Sequence, residues 1–443
     1  MPPSRSWLEE LKLWLAPFLE ALSHKKQRRW APFYVEGLLR PGRRKSVEPM
    51  AERVAPGEVQ QLHNFVSTSR WDGAPLGRVL TRKAEAMVGG PSAHLIVDDT
   101  ALVKKGKHSV GVAHQYCGEL GKKANCQTLV TLTLARGEVP VPIALKLFLP
   151  EAWAQDKKRR ARAYVPEGLV HRPKWKIALE EIDHAIADGA TFGDVLADAG
   201  YGMCAEFRKG LSQRRLRWAV GILSSQKVYA ADVKLAPIRL KPQGRPRKHR
   251  RPTAPSRSAQ QTIQALGSRA FRSIAWRRGT KGELRARFAC ARVRVADGEK
   301  GPHGQHQPGE ELWLIAEHRA TGERKYYLSN LPASTTRKEL AATIKARWVC
   351  EQGHQQMKQE LGLDHFEGRS WHGLHHHALL VMIAYAFGQR LRLGEKKGAR
   401  RRTAPTQPAR GAASTRGHPT EPSALPSMPM RLHLSPKRMR LAE

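Results

Sequence analysis

The sequence lacks the features of a membrane protein, a disulfide-rich secreted protein and a zinc protein. Its longest uncharged apolar run, Ala378 to Phe387, is too short for a membrane span of roughly 20 residues. Its 5 cysteines include no C-x-x-C pair, so we interpret them as reduced packing residues. The run His375 to His377 resembles a metal cluster but lacks partners at the spacing of a tetrahedral site.

Acidic residues are also scarce. The 443 residues include 77 lysines and arginines against 39 aspartates and glutamates, which gives a net charge of +38. A positive field of this size predicts a polyanionic partner, with nucleic acid first and an anionic membrane surface second. Glu9, Glu10 and Lys12 interrupt the apolar residues of the N-terminus, so no signal peptide is predicted. We therefore expect a cytoplasmic, nucleoid-associated protein.

The patterns along the chain predict several domains. Residues 1–88 carry a helical apolar stripe and basic faces, which favours either a DNA-end-binding domain or a plain helical packing domain. Residues 89–223 and 336–393 are predicted to form two parts of an α/β core, separated by a β-rich insertion with a basic arm at residues 224–335. Residues 394–443 are rich in Arg, Pro, Ser and Thr without periodicity, which predicts a disordered basic tail.

Two short apolar stretches of the predicted core end in aspartate. Leu95 to Val97 precedes the pair Asp98 and Asp99, and Val195 to Ala197 precedes Asp198. Each stretch is typical of a buried strand, and ligand sites in α/β sheets lie at the carboxyl ends of strands. Two carboxylates that end separate strands therefore indicate a metal site. The alternative for a single strand-end aspartate is a turn or a helix cap.

A third carboxylate lies on a predicted helix after the insertion. At about 100° per residue, one narrow face of that helix carries Arg347, Glu351, His354 and Lys358. This arrangement suits a glutamate that holds a metal while the flanking cations hold phosphate. The alternative is a surface salt-bridge row, because Arg347 and Glu351 form an i,i+4 pair.

The three carboxylates Asp98, Asp198 and Glu351 suit phosphodiester chemistry. Cleavage without a covalent enzyme intermediate needs a strong oxygen nucleophile and a stabilised leaving oxygen. Two Mg²⁺ ions about 4 Å apart supply both. Magnesium prefers hard oxygen ligands and keeps several waters, so a few carboxylates suffice.

Three motifs with their spacing resemble the DDE insertion-sequence transposases. They are Asp98-Asp99-Thr100, Asp198-Ala199-Gly200-Tyr201 and Arg347-x3-Glu351-x6-Lys358. The sequence is most similar to the branch with a Y-x2-R-x3-E-x6-K signature, although Ile344 stands at the Tyr position. The resemblance covers roughly residues 30–390. It implies an α/β fold with a ribonuclease-H-like mixed-sheet catalytic core, interrupted by a β-rich insertion before the Glu.

The resemblance also implies an activity, a cofactor and a partner. The activity is binding of terminal inverted repeats, Mg²⁺-dependent strand cleavage and transfer of the freed 3′-hydroxyl into target DNA. The catalytic metal ligands would be Asp98, Asp198 and Glu351, holding two Mg²⁺ ions for which Mn²⁺ substitutes, in a homodimeric synaptic complex. The family's first Asp is usually followed by one residue and then Thr, which favours Asp98 over Asp99. Adjacent side chains on a strand point to opposite faces, so only one of them should face the metals.

Other residues have open roles at this point. Arg347 and Lys358 are predicted to contact DNA, and His354 could contact phosphate or merely pack. Trp276 could stack on an unpaired base or be buried in the insertion. A nuclease that cleaves but cannot join, and a catalytically decayed DNA-binding protein, remain alternatives to the transposase. Strand transfer with pre-cut ends tests the first alternative, and metal-dependent nicking tests the second.

The basic arm generates a prediction. In Gly244-Arg245-Pro246-Arg247-Lys248, proline keeps the chain extended, so both arginines can reach along a narrow minor groove, as in an AT-hook core. The alternative is a solvated linker. Replacing Arg245 and Arg247 with Ala should weaken binding to A/T-rich ends more than to G/C-rich DNA of equal length, measured by fluorescence anisotropy. An equal loss on both DNAs would indicate phosphate contacts alone, and no loss would favour the linker.

Overall fold

The N-terminal part of the protein is a set of packed helices. The computed structural model describes residues 6–237, 250–279, 282–300 and 306–403, with residues 396–403 described by their backbone alone. The helices are α1 (Trp7–Glu20), α2 (Lys25–Leu39), α3 (Val47–Val54), α4 (Val59–His63) and α5 (Ala74–Val88). The first begins at a capping box, in which the Ser6 hydroxyl accepts from the Glu9 N–H and the Glu9 carboxylate accepts from the Ser6 N–H. Its buried face packs into the main hydrophobic core.

The central part alternates strands and helices. The strands are β1 (His94–Val103), β2 (Ala113–Cys117), β3 (Lys122–Arg136), β4 (Val139–Leu147), β5 (Asp194–Ala197) and β6 (Arg217–Ile222). The helices are α6 (Glu151–Gln155), α7 (Lys157–Arg162), α8 (Lys174–Ala187), α9 (Ala199–Gly202) and α10 (Ala205–Gln213). Five of these strands lie side by side in the order β4-β3-β1-β5-β6. The pairs β1–β5 and β5–β6 are parallel, and the pairs β1–β3 and β3–β4 are antiparallel, so the sheet is mixed.

The first strand continues past its aspartates, so the prediction that it ends there was wrong. It pairs with β3 as far as Val103 opposite Cys126, whereas its parallel pairing with β5 stops at Val97 opposite Ala197. The neighbour β3 is long enough to keep β1 extended beyond the point where β5 ends. Asp98 therefore lies inside β1, immediately after the point where the pairing of β1 with β5 ends.

The insertion adds strands to this same sheet. Its elements are β7 (Lys227–Ala230), β8 (Leu235–Ala236), β9 (Arg251–Pro252), β10 (Arg257–Ser258), α11 (Ala259–Ala265), β11 (Arg272–Gly279), β12 (Gly282–Val295), β13 (Glu311–His318) and β14 (Arg324–Ser329). The last of them pairs antiparallel with β6, with Tyr326 opposite Ile222. One mixed sheet of 12 strands results, with the β8–β9 pair apart from it in the described residues.

The chain returns to the core through three helices, α12 (Arg337–Ala346), α13 (Trp348–Gln359) and α14 (Trp371–Thr403). The stretch Ala378 to Phe387 of α14 is buried throughout. This helix continues to Thr403, so the predicted disorder from residue 394 onward was wrong for residues 394–403, where Glu, Lys, Arg and Ala favour helix. The rest of the predicted tail, residues 404–443, lies outside the described residues. No helix in the described parts of the chain is long and apolar enough to cross a membrane.

The three consecutive histidines of α14 attach this helix to its neighbours. The His375 Nε2 accepts from the Leu147 N–H at 3.3 Å, and its Nδ1 donates to the Trp371 carbonyl at 2.8 Å. The His377 Nε2 donates to the Gly362 carbonyl at 3.0 Å. His376 and His377 are buried, His375 is partly buried, and all three rings are paired with protein groups, as expected for packing residues rather than metal ligands.

The His377 ring also ties α14 to the N-terminal helices, because its Nδ1 accepts from the Tyr34 hydroxyl at 2.9 Å. One donor and one acceptor are used, so the ring is neutral. Burial lowers the pKa of His377 to about 4. A group with a depressed folded-state pKa stabilises the fold above its unfolded pKa, about 6.5 for histidine, and that contribution is lost as the pH falls towards 4.

We therefore predict a pH-dependent effect of His377→Gln. The variant cannot take up the proton that unfolded His377 binds, so its stability deficit relative to wild type should shrink between pH 6.5 and 4, by up to about 1.36 kcal/mol per pH unit. Urea unfolding followed by tryptophan fluorescence at several pH values measures this difference. His63→Gln, at an exposed position, is the matched control and should show a constant difference. A constant deficit for His377→Gln would contradict a buried neutral ring.

Candidate active site

The parallel pair β1–β5 brings two of the three predicted carboxylates together. Val97 and Ala197 are the last paired residues, so Asp98 and Asp198 follow side by side. Asp98 is 9% exposed, and the Asp198 carboxylate accepts from the Tyr201 N–H at 3.3 Å, which caps the short helix α9. Burial raises the pKa of Asp198, and the negative charge of Asp98 raises it further. The two carboxylates thus sense each other's charge.

Arg347 connects this pair to the third carboxylate. It lies at the junction of α12 and α13, in helical conformation, and its Nη1 donates to Asp98 Oδ2 at 2.7 Å. Its Nη2 forms an ion pair with Glu351, whose side chain is half exposed. Burial alone would lower the pKa of Arg347, but the surrounding carboxylates outweigh burial and raise it. The guanidinium therefore bridges Asp98 and Glu351.

A thiol completes the surroundings of Asp98. The buried Cys350 Sγ donates to Asp98 Oδ2 at 3.1 Å. Burial raises the pKa of Cys350 well above its ordinary value, and the charge of Asp98 adds to this effect. The thiol therefore stays protonated and acts as a donor. Sequence analysis did not predict this contact, because a cysteine beside the helix glutamate is typical of an ordinary packing residue.

Asp99 points to the opposite face of the sheet and has a full set of partners. Its Oδ2 lies 2.5 Å from the Lys174 ammonium, and its Oδ1 accepts from the Tyr201 hydroxyl at 2.5 Å. Burial raises the pKa of Asp99, although Lys174 and Tyr201 lower it in part. Both oxygens are thus engaged with α8 and α9, away from Arg347. Sequence analysis missed Lys174, whose contact with Asp99 is a long-range one.

The other two residues of the predicted helix face do not line an open surface. His354 is buried, and burial lowers its pKa to about 4, so at neutral pH the ring is uncharged and suits packing rather than phosphate binding. Lys358 lies 2.7 Å from the Glu119 carboxylate, and its side chain is 11% exposed. The face is therefore a set of specific contacts, in which only Glu351 is strongly exposed.

The remaining predicted residues lie elsewhere. Arg245 and Arg247 fall outside the described residues. Trp276 is partly buried in the insertion, with its ring 5.9 Å from that of Phe288 and with the Lys345 ammonium 4.9 Å from its centroid. Its neighbours thus match the packing alternative better than a free stacking surface.

The donor set suits a hard divalent cation, although the carboxylates are not gathered around one point. Within the described residues, no three His, Cys, Asp or Glu side chains lie close enough together to hold a metal ion. Asp98 and Asp198 provide hard oxygens at one place, whereas Glu351 is joined to them through Arg347. The arrangement therefore brings the three residues to one region without placing their oxygens around a common centre.

Comparisons with known proteins identify a family for this chain. A family model described as DDE superfamily endonuclease matches residues 17–283. The probable transposase for insertion sequence element IS701 of Microchaete diplosiphon is 29% identical over 187 residues. That match spans 42% of this chain and 46% of the relative, so less than half of the relative's length is covered.

A solved structure shows a more remote likeness. The cryo-EM structure of a piggyBac transposase synaptic complex with hairpin DNA has a TM-score of 0.43 and 11% identity, over 89% of this chain and 77% of that chain. A likeness at this level carries no argument about the site. The family model, in contrast, matches more than half of the chain. The protein therefore belongs to the DDE superfamily endonucleases and is related to insertion-sequence transposases.

Proposed function

We propose that the protein is a DDE transposase that binds the terminal inverted repeats of its insertion sequence, cleaves DNA strands at its ends and joins them to target DNA. The observation that carries this proposal is the placement of Asp98 beside Asp198, with Glu351 linked to Asp98 through Arg347. In this proposal they are the three carboxylates of the family's motifs, and they come from segments far apart in the sequence.

The strand order supports a ribonuclease-H-like catalytic core. The five core strands β1, β3, β4, β5 and β6 are numbered 1 to 5 in chain order. Across the sheet they lie in the order 3-2-1-4-5, and strands 1 and 4 are parallel. The insertion leaves after β6 and returns to α12, ahead of the helix that carries Glu351. We assign residues 1–88 to DNA-end binding and residues 89–223 with 336–393 to catalysis.

We further propose that Asp98, Asp198 and Glu351 hold two Mg²⁺ ions, for which Mn²⁺ substitutes. When bound, such ions supply a nucleophilic oxygen and stabilise the charge that develops on the leaving oxygen. Burial raises the pKa of Asp198 and the charge of Asp98 adds to this effect, so a bound cation would favour the ionised form of both carboxylates. Carboxylate oxygens are the ligands that Mg²⁺ prefers.

Arg347 positions the carboxylates and can contact DNA. Its Nη atoms hold Asp98 and Glu351, and a guanidinium has five N–H donors in a planar fork. The remaining donors can reach a phosphate oxygen beside the carboxylates. Lys358 can bind a DNA phosphate only if its ion pair with Glu119 breaks, so Glu119 and phosphate compete for this ammonium group.

We also propose that a homodimer assembles on the two transposon ends.

The decisive experiment is incubation of the full-length protein with duplexes carrying its element's own ends, with and without Mg²⁺. End cleavage that requires the metal supports the proposal, and its absence contradicts it. Pre-cut ends offered together with a target plasmid then report joining. Cleavage without joining would reveal a nuclease, and binding without cleavage a decayed DNA-binding protein.

The first prediction concerns the metal ligands. Asp198→Ala and Glu351→Ala should each lower end cleavage by about a thousandfold or more, since several kcal/mol of transition-state stabilisation by the ion are lost. End binding should remain nearly unchanged, because the net charge of +38 hardly changes. Gel assays of nicking and anisotropy of binding measure the two effects. A variant that nicks at the wild-type rate in Mg²⁺ would exclude that residue as a ligand.

The second prediction separates the adjacent aspartates. Asp98→Asn should lose cleavage, whereas Asp99→Asn should keep measurable cleavage, because the oxygens of Asp99 face Lys174 and Tyr201. Asp99→Asn should instead melt at a lower temperature, since Lys174 loses its ionic partner. Cleavage assays and thermal melts of both variants test this pattern. The reverse pattern of activity would transfer the catalytic role to Asp99.

A further inference from the structure

A basic cleft opens where the N-terminal helices meet the core. Its volume is about 630 Å³, and it is formed by the turn between α2 and α3, the chain after β1 and the loop between α13 and α14. Two acidic residues, Asp364 and Glu367, line it. The cations that line it are Arg43, Arg44, Lys104, Lys105 and Arg369. Positive charge is therefore in excess.

Hydrogen bonds between the walls fix the shape of this cleft. The Lys104 ammonium donates to the carbonyls of Asp364 at 3.2 Å and of Phe366 at 2.8 Å, which joins the chain after β1 to the α13–α14 loop. The Lys45 backbone N–H donates to His365 Nδ1 at 3.0 Å, which joins the α2–α3 turn to the same loop. The three walls are thus held together without any ligand, so little ordering is needed for binding.

The cations of the cleft divide into paired and free groups. Arg44 forms an ion pair with Glu367 across the opening, which offsets the charge of that carboxylate. Arg43, Lys105 and Arg369 are exposed, and among the described residues they have no ionic partner. Three free cations on three different segments therefore converge on one concave surface.

We propose that this cleft binds the phosphodiester backbone of the transposon-end duplex. This inference rests on the proposed function and adds a place where the DNA lies. Guanidinium groups match phosphate geometry, and fixed cations on a concave wall can follow a phosphate backbone. Arg44 offsets the charge of Glu367, so Asp364 is the one acidic residue of the cleft lining set against the three free cations.

The position of the cleft predicts which phosphates it holds. Along β1, the distance from Asp98 to Val103, which lines the cleft, is roughly 17 Å at about 3.3 Å per residue. A duplex rises about 3.4 Å per base pair, so the cleft would reach phosphates roughly five base pairs from the phosphate at the carboxylates.

Two variants of the full-length chain test the cleft with the same change of net charge. The cleft variant is Arg43→Gln, Lys105→Gln and Arg369→Gln. The control variant changes three exposed cations away from the cleft, namely Lys176→Gln, Arg269→Gln and Lys338→Gln. The slope of log K against log salt on end DNA should fall by about 2 to 3 in the cleft variant and by less than about 1 in the control. Equal losses in both variants would overturn the proposal, because overall charge would then explain binding.

A phosphate scan locates the contact. Single methylphosphonates placed along the end duplex neutralise one phosphate at a time. Wild-type affinity should drop several-fold when a phosphate roughly five base pairs from the cleavage point is neutralised, and the cleft variant should show no further drop there. If no position behaves in this way, the cleft does not hold the backbone. Wild-type cleavage in Mg²⁺ is scored separately, so a protein that binds as expected but never cleaves contradicts the transposase and not the cleft.

Discussion

The site depends on the partly buried guanidinium of Arg347. It bridges Asp98, from a core strand, and Glu351, from a helix that follows the insertion. Without this cation, the carboxylates of Asp98, Asp198 and Glu351 would lie near one another and repel. The neutral thiol of Cys350 donates a hydrogen bond to Asp98 but carries no positive charge to offset that repulsion. The arginine therefore reduces the repulsion within this acidic cluster in the folded chain. A divalent metal ion bound here would compete with Arg347 for the oxygens of Asp98 and Glu351.

The insertion holds this arginine in position. Glu317 of β13 is almost fully buried, and its carboxylate lies 2.7 Å from the Lys345 ammonium, near the end of α12. The Tyr327 hydroxyl of β14 donates to the same carboxylate at 3.0 Å. Arg347 lies two residues after Lys345, at the junction of α12 and α13. Strands of the insertion therefore fix the starting point of the helix that carries Glu351. The insertion thus supports the residues that we propose as catalytic.

Local patterns were enough to predict some of this and not the rest. The helix Lys174–Ala187 and the separation of Asp98 from Asp99 followed from periods of 3.6 and 2 residues, which depend on the backbone alone. The partners of Asp99 and the bond from Cys350 to Asp98 join residues distant in sequence, and no local pattern encodes them. The continuation of β1 depended on the length of β3, another strand's property.

The unbroken hydrogen-bonded ladder from the insertion to the core has a mechanical consequence. Because β14 is hydrogen-bonded to β6, a rotation of the insertion relative to the core would have to break inter-strand hydrogen bonds in the middle of the sheet. Under the proposed function, the duplex would then adapt its own curvature to the protein surface, and sequences that bend easily would bind at lower elastic cost.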